Sequence, residues 1–459
     1  MSRPSKPSTA YIDSVGQDIA AKVAKAKPPA PFHETYENQT RYWQQCAEIA
    51  DSSREQLAHI VHDLHAHPET AFAEHRSMAM LANLVENQGH ETVRGAFGVE
   101  TAFTAQACSK NFDPQVHPTV AIMAEYDALP GIGHACGHNV IAAAGVGAFL
   151  TAARVLAQSD VEGRIILQGT PAEEGHTGKE YMIRGGSLNG VDAAIMVHGF
   201  GYDIASHAWV GRRSATIEFH GVAAHASSQP FMGRNALDAA NLAYQGMGLL
   251  RQQMPPSDRL HAIISAGGKR PSIIPEHAAI QVYVRSLGTQ TLLDLSGRVE
   301  EIAQGAALMA ACGVEIHWDP HPMSLPVRNN ETLAKRWART QAQRGRTALP
   351  AGTVPDTFAA STDFGNVSHL VPGIHPMVKV SPEAVALHTE DFARWANTES
   401  AVDAAVDSAA GLAQIAMDFL GDAELREDAT NEFARAGRPV SVEQLLSRQA
   451  ETMAEDAED

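Results

Sequence analysis

The chain has 459 residues, 44% of them hydrophobic, which is enough to bury a large core and to divide into two domains. Its 35 basic and 53 acidic residues leave a formal net charge of −18, which disfavours nucleic acid and anionic membrane as partners and leaves a small-molecule substrate as the expected ligand. Four scattered cysteines, an N-terminus without the apolar stretch of a signal peptide, and the reading that no run is long enough to span a bilayer make reduced thiols in the cytoplasm the expected setting.

The first thirty or so residues read as a helix-capable arm ending in the proline cluster from Lys25 to Pro31, a linker. Helical apolar spacing runs from about Tyr36 to His65 and is expected to stop near His67-Pro68, because proline disfavours helical geometry in the residue before it. A helix from Arg76 to Gln88 follows. Val120 to Ala124 is a continuous apolar run, as expected of a strand buried on both faces of a parallel sheet, and it leads directly into Glu125-Tyr-Asp127. Ile165 to Leu167 is a second such run, followed by Pro171 and the acidic pair Glu173-Glu174; Ala193 to Val197 is a third and delivers His198. Open parallel sheets bind ligands beyond the carboxyl ends of their strands, so the three runs place polar groups on one rim. The small-residue run Val140 to Ala148 predicts a helix packed tightly behind that rim.

After His207 the pattern changes. Ala215, Ile217 and Phe219 alternate with Thr216, Glu218 and His220, and Ile280, Val282 and Val284 alternate with Gln281, Tyr283 and Arg285, the period of half-exposed antiparallel strands. With helices over Asn235 to Leu250 and about Thr291 to Met309, and a strand from Val314 to Trp318, the order predicts an inserted two-layer α+β, ferredoxin-like domain. Its free sheet edge is a candidate dimer surface. Beyond Leu325 come a helix over Thr332 to Arg344, a polar turn at Ser361-Thr-Asp363-Phe-Gly-Asn366, a strand within Ile374 to Val380, and a helix opened by His388-Thr-Glu390 that continues to Leu420. The expected class is α/β, a mainly parallel-sheet catalytic domain with the α+β dimerisation domain inserted. The expected boundaries are an arm at 1–35, catalytic parts at 36–207 and 324–437, the insert at 208–323, and a solvated acidic tail at 438–459.

The chemistry is concentrated at His134-Ala-Cys136-Gly-His138. Thiolates, neutral imidazoles and carboxylates are the groups that hold zinc and similar divalent ions, and the intervening Gly137 lets Cys136 and His138 turn to one side of a tight loop. Two residues alone are a weak signal, since a lone cysteine is more often a small buried hydrophobe. Glu173, Glu174 and His198 on the same rim raise it. Either glutamate is chemically suited to be a ligand or a base.

The run Ala124-Glu-Tyr-Asp-Ala-Leu-Pro-Gly-Ile-Gly-His-Ala-Cys-Gly-His-Asn139 is similar to the signature of the M20 metallopeptidase and amidohydrolase family. The resemblance is to the branch containing aminoacylase-like, aminobenzoyl-glutamate hydrolase-like and β-alanyl dipeptidase-like proteins. Leu64-His-Ala-His-Pro-Glu69 with Glu74, Pro171 to Gly175, Gly221 to His225, Ile273-Ile-Pro275 and Ser361 to Asn366 resemble its other motifs in order, so the similarity spans about residues 50–420. It implies two divalent metal ions per subunit, zinc first with manganese or cobalt as alternatives, held by Cys136, His138, Glu174, His198 and His388. It further implies Glu173 as general base and His225 as an oxyanion donor reaching into a partner subunit of a homodimer or dimer-based oligomer. The implied reaction is hydrolysis of the amide bond of small N-acyl or N-aminoacyl amino acids.

Outside the family pattern, His225 reads as a histidine capping a strand end. Arg285, on the polar face of its strand, suits a substrate carboxylate or a surface ion pair. Asp127 is expected to orient a ligand, and His65 and His67 to shape the pocket. Ser272 stands where many relatives have Asn, which alters a substrate contact, and Asn139 stands where the auxin-conjugate and hippurate hydrolases usually have Asp. Two other readings are a cysteine hydrolase using Cys136 with His138 as base, and a catalytically inactive metal-binding scaffold.

Overall fold

The computed structural model describes residues 7–29 and 41–448. Helix α1 (Ala10–Lys25) docks along one edge, burying Ile19 in a cluster with Ile204, Trp209, Leu349, Val354 and Met377, and Lys22 Nζ donates to the carbonyl of Gly352 at 2.7 Å. The helix expected from Tyr36 is two helices, α2 (Trp43–Ser52) and α3 (Arg54–Ala66), with 36–40 outside the described residues. The break falls at Ser52-Ser53, where both hydroxyls turn back to the carbonyl of Ile49. Such local hydrogen bonds compete with helix continuation. Helix α3 ends where the proline demands, with His67 already out of helical geometry.

Helix α4 (His75–Asn87) and strands β1 (Thr92–Arg94), β2 (Phe103–Cys108) and β3 (Thr119–Glu125) lead to helix α5 (His138–Gln158). After it come β4 (Arg164–Thr170), α6 (Gly178–Arg184), β5 (Ala193–Ile195) and β6 (His198–Phe200). The inserted unit comprises β7 (Gly211–His220), β8 (Ala224–His225), α7 (Ala236–Leu250), β9 (Arg259–Ala266), β10 (Ile273–Ile274), β11 (His277–Ser286), α8 (Thr289–Ala310) and β12 (Gly313–Trp318). The chain then returns through α9 (Glu331–Gln343), α10 (Phe364–Ser368), β13 (Gly373–Ile374), β14 (Met377–Lys379), α11 (Glu390–Trp395), α12 (Glu399–Gly421) and α13 (Ala423–Arg435).

The first sheet has the order β1-β2-β4-β3-β5-β13, with β4, β3, β5 and β13 mutually parallel and β1 and β2 antiparallel at one edge. Every residue of β3 is buried, as its apolar run requires of a central parallel strand. Helix α5 packs between β3 and α12, and its small residues from Val140 to Ala148 are all buried. At 21 residues, with a mean hydropathy of 1.9 over its most apolar window, it is long and apolar enough to cross a bilayer, contrary to the sequence expectation that no run is. Its most apolar window is 83% buried inside the protein, the signature of a core helix.

The second sheet has the order β12-β7-β11-β9, all antiparallel, with α7 and α8 packed on one face around a core of its own. This βαββαβ order is the ferredoxin-like arrangement. The alternation read from the sequence matches the burial: Ala215, Ile217, Phe219, Ile280, Val282 and Val284 face the helices. Val442 is buried in this same core, with Leu445 and Leu446 packed against it, so the first part of the tail is a docked segment rather than a solvated end. The acidic stretch 455–459 lies outside the described residues.

Two expected elements differ in detail. The third apolar run divides, because β5 ends at Ile195 and His198 begins β6, which pairs with β14 in a separate two-stranded sheet. The helix expected from His388 to Leu420 breaks between α11 and α12, where Thr398 takes an extended conformation as the cap of α12.

Candidate active site

Three strand ends and one helix start bring the polar residues together. Gly137 lies between β3 and α5 with φ +80, a left-handed conformation that glycine adopts without strain, and it joins Cys136 in the loop to His138, the first residue of α5. His198 opens β6, and His388 precedes the Thr389 cap of α11 with its own φ at +61. A non-glycine residue held in that region signals a constraint imposed by its surroundings.

The loop after β4 carries Glu173 and Glu174 between two further left-handed residues, Ala172 and Thr177, both at φ +60. It is held from below: the Ala172 N–H donates to Glu74 Oε1 at 2.9 Å and the Glu174 N–H to Asp127 Oδ2 at 2.8 Å. Gly178, which opens α6, closes it, since an added Cβ would lie 1.9 Å from the carbonyl oxygen of Pro171. Gly178→Ala is therefore expected to cost about 1–3 kcal/mol of stability and to depress turnover by displacing the glutamates. Thermal unfolding and rate measurements on the same preparation check this; an unchanged melting temperature with full activity would contradict it.

The ligand atoms converge. Cys136 Sγ is 3.5 Å from His198 Nε2, His138 Nε2 is 3.8 Å from Glu174 Oε1, and His388 Nε2 is 3.6 Å from the same oxygen. Donor atoms within three sets, Cys136/His138/His198, Cys136/Glu174/His388 and His138/Glu173/Glu174, all lie within 4.8 Å of one another. Hydrogen bonds fix the imidazoles so that Nε2 faces inward: His138 Nδ1 pairs with Asp127 Oδ1 at 2.9 Å, and His198 Nδ1 with the carbonyl of Gly199 at 2.7 Å. The buried His138 Nε2, Glu174 Oε1 and Glu125 Oε2 have no hydrogen-bond partner among the described residues. Buried polar atoms are rarely left so, and a cation resolves the cost.

The electrostatics agree with a site built around positive charge. Burial and the charge of Glu174 push the Glu173 carboxyl well up, and burial raises Glu174 to about 7. Burial lowers His198 to about 3 and also lowers His388, leaving both as the neutral imidazoles that metal ligation needs, whereas at His138 the lowering by burial is outweighed by Asp127 and Cys136, which raise it well above the usual range. Burial and Glu174 likewise push the Cys136 thiol up.

These groups open onto one cavity of about 440 Å³, which Cys136, Glu173, Glu174, His198, His388 and Arg285 all line. Arg285 has no ion pair among the described residues. Asp127 lies beneath, bridging His138 and the Glu174 backbone. His225 and Ser272 are elsewhere, paired with each other's flap, since β8 and β10 bond with His225 opposite Ile273. Both are exposed and neither reaches the cavity of its own chain. His65 and His67 do not line the cavity either: His65 Nε2 bonds the carbonyl of Ala393, and His67 faces Asp63. Asn139 is wholly buried and donates through Nδ2 to the carbonyls of Val61 and Ala396, a pair of bonds that an aspartate cannot make.

Sequence reasoning missed a buried ionic group below the ligands. Lys179 Nζ contacts Glu125 Oε1 and lies 2.7 Å from Asp363 Oδ1, while Glu125 Oε2 is 3.5 Å from His138 Nε2. Burial alone would lower the Lys179 pKa, but Asp363 and Glu125 more than offset it and keep the lysine charged. Glu125 and Asp363 were visible at a strand end and in a polar turn; nothing in the sequence marks Lys179. Arg212 and Trp209, which also line the cavity, were missed as well.

Residues 209–308 match a peptidase dimerisation domain. The chain is 35% identical over 410 residues to the Xaa-Arg dipeptidase of Mus musculus, covering 88% of this chain and 94% of that protein. It is 31% identical to one of the p-aminobenzoyl-glutamate hydrolase subunits of Escherichia coli (strain K12), covering 59% of each. Among solved structures, the Bacillus subtilis YXEP protein, described as a dinuclear metal binding peptidase from the M20 family, superposes with a TM-score of 0.61 at 21% identity, covering 80% of this chain and 98% of that one.

Proposed function

This chain belongs to the M20 peptidase family, and from that membership we propose that it hydrolyses the amide bond of small N-acyl or N-aminoacyl amino acids with the help of two divalent cations. The observation that carries the reading is the convergence of Cys136, Glu174, His198 and His388 on one cavity with His138 beside them, and with the buried His138 Nε2 and Glu174 Oε1 lacking a hydrogen-bond partner among the described residues. The five residues would hold the cations, and thiolate with imidazole ligation favours zinc, with manganese and cobalt as the alternatives. When bound, such cations polarise a carbonyl and bring the pKa of water toward neutrality.

The protein's own groups do the rest. Glu173 lines the cavity beside Glu174 and is suited to take a proton from the attacking water and return it to the departing nitrogen. Arg285, half-buried and without an ion pair among the described residues, is suited to a substrate carboxylate. Both curated relatives named above act, by their names, on compounds with a carboxylate next to the scissile amide, which fits that assignment.

The dimer completes the site in this reading. The outer edge of β9 is unpaired among the described residues, and Ile263 on it, with Tyr244 and Leu249 on the adjoining α7, is exposed. Two N–H groups, of Ser227 and Ser228, point at His225 Nδ1 at 3.3 Å, so that nitrogen is an acceptor and Nε2–H is the outward donor. That orientation suits an oxyanion in the partner subunit's cavity.

A nucleophilic cysteine is disfavoured, because an activated thiol needs a lowered pKa and burial pushes this one up. Exhaustive chelation is accordingly expected to abolish hydrolysis of N-acyl amino acids and dipeptides, with recovery on adding zinc, manganese or cobalt. Alkylating the exposed Cys108 in metal-loaded protein is expected to leave activity intact. Turnover that persists when elemental analysis finds no metal would sink the proposal.

A further inference from the structure

Arg212 and Arg285 are directly opposite each other on adjacent antiparallel strands, β7 and β11, on the face that looks into the cavity. Like charges in that register repel and destabilise a sheet unless something negative joins them. The ring of Tyr283 also lines the cavity and lies under both guanidinium groups, at 5.7 and 5.9 Å from its centroid. Arg212 Nη2 donates to Thr177 Oγ1 at 3.0 Å, which holds it beside the loop bearing Glu173 and Glu174. Neither arginine has an ion pair among the described residues. The acid on the neighbouring segment, Asp319, is occupied by Arg213 at 2.9 Å. Burial and the charge of Arg212 lower the pKa of Arg285, the mark of a cation that lacks its counter-ion.

We infer that the cavity selects a leaving group with two carboxylates, that is, an N-acyl or N-aminoacyl derivative of an acidic amino acid, with Arg285 and Arg212 each taking one carboxylate. One arginine suffices for the α-carboxylate of any amino acid; a second guanidinium on the same wall of the cavity suits a second negative group. A basic side chain has no free acidic counterpart there among the described residues. The acidic residues lining the cavity are Glu173, Glu174 and Asp363, of which the first two belong to the hydrolytic centre and the third is paired with Lys179. The inference rests on the amidohydrolase reading above and narrows it.

The test uses the metal-loaded full chain and a set of substrates with one acyl group: N-benzoyl derivatives of glutamate, glutamine, leucine and arginine. The expected kcat/KM for the glutamate compound exceeds that for the isosteric glutamine compound by on the order of tenfold to a hundredfold, the worth of one charge-assisted contact. In Arg212→Gln that ratio is expected to collapse toward one, with the loss mainly in KM for the glutamate compound, whereas Arg212→Lys retains part of it. Glutamine, leucine or arginine compounds turned over as well as the glutamate one would overturn the inference, and this comparison needs only the wild-type protein. If no member is hydrolysed, the amidohydrolase reading fails instead. The selectivity is then judged by calorimetry with glutarate against butyrate: tighter glutarate binding that Arg212→Gln removes supports it, and equal binding refutes it.

Discussion

Glu173→Gln is expected to lower kcat by about 10²–10⁴-fold, the usual contribution of a positioned general base, while metal content stays at the wild-type level. The amide is isosteric with the carboxylate and keeps the loop between Ala172 and Thr177 in place, but it offers no basic oxygen for the proton. Its neighbour makes the control. Glu174 Oε1 faces both His138 and His388, whereas Glu173 shares only the set with His138 and Glu174. Glu174→Gln is therefore expected to lose metal along with activity. A base working near neutral pH must have a pKa above the ordinary carboxylate range, and burial beside Glu174 pushes Glu173 in that direction. Stopped-time assays with elemental analysis of both variants decide the matter. If Glu173→Gln kept more than about a third of wild-type kcat, far above what loss of a general base permits, Glu173 would not be the base.

His225→Ala is expected to lower kcat by about 10²–10³-fold, the cost of removing one oxyanion donor, although His225 is exposed and outside the cavity of its own chain. The distance is what makes the prediction specific. If the donor comes from the partner subunit, mixing His225→Ala with Glu173→Gln creates hybrid dimers in which one site has its own Glu173 and an intact His225 from the other chain. Random reassortment is then expected to recover about a quarter of wild-type activity from two inactive parents. No recovery after subunit exchange, verified by mass spectrometry of the hybrid, would mean that His225 does not act across subunits.

The legible part of the site consists of residues whose role depends on local pattern. Cys136 and His138 are two residues apart across a glycine, which the structure holds at φ +80, and Glu173-Glu174 and His198 each follow an apolar run that becomes β4 or β5. The alternation around Phe219 and Val282 likewise predicted which faces of β7 and β11 are buried. Where local pattern misled, a competing local bond or an environment was decisive. Ser52 and Ser53 interrupt a periodic helix, and the apolar α5, which could pass for a membrane span, is sealed within the core.

By itself, then, the sequence determined the chemical inventory and its order: strand ends on one rim, a thiol, imidazoles and carboxylates following them, and a separate antiparallel unit between two halves of a parallel one. These follow from periodicity and ligand chemistry, which are properties of short segments. Tertiary structure alone decided which groups meet. It set Arg212 opposite Arg285 by strand register, buried Lys179 between Glu125 and Asp363, and withheld His225 and Ser272 from the cavity of their own chain. Register and side-chain direction are fixed by packing between segments far apart in the chain, and a one-residue slip of β7 against β11 would send Arg212 to the other face of the sheet.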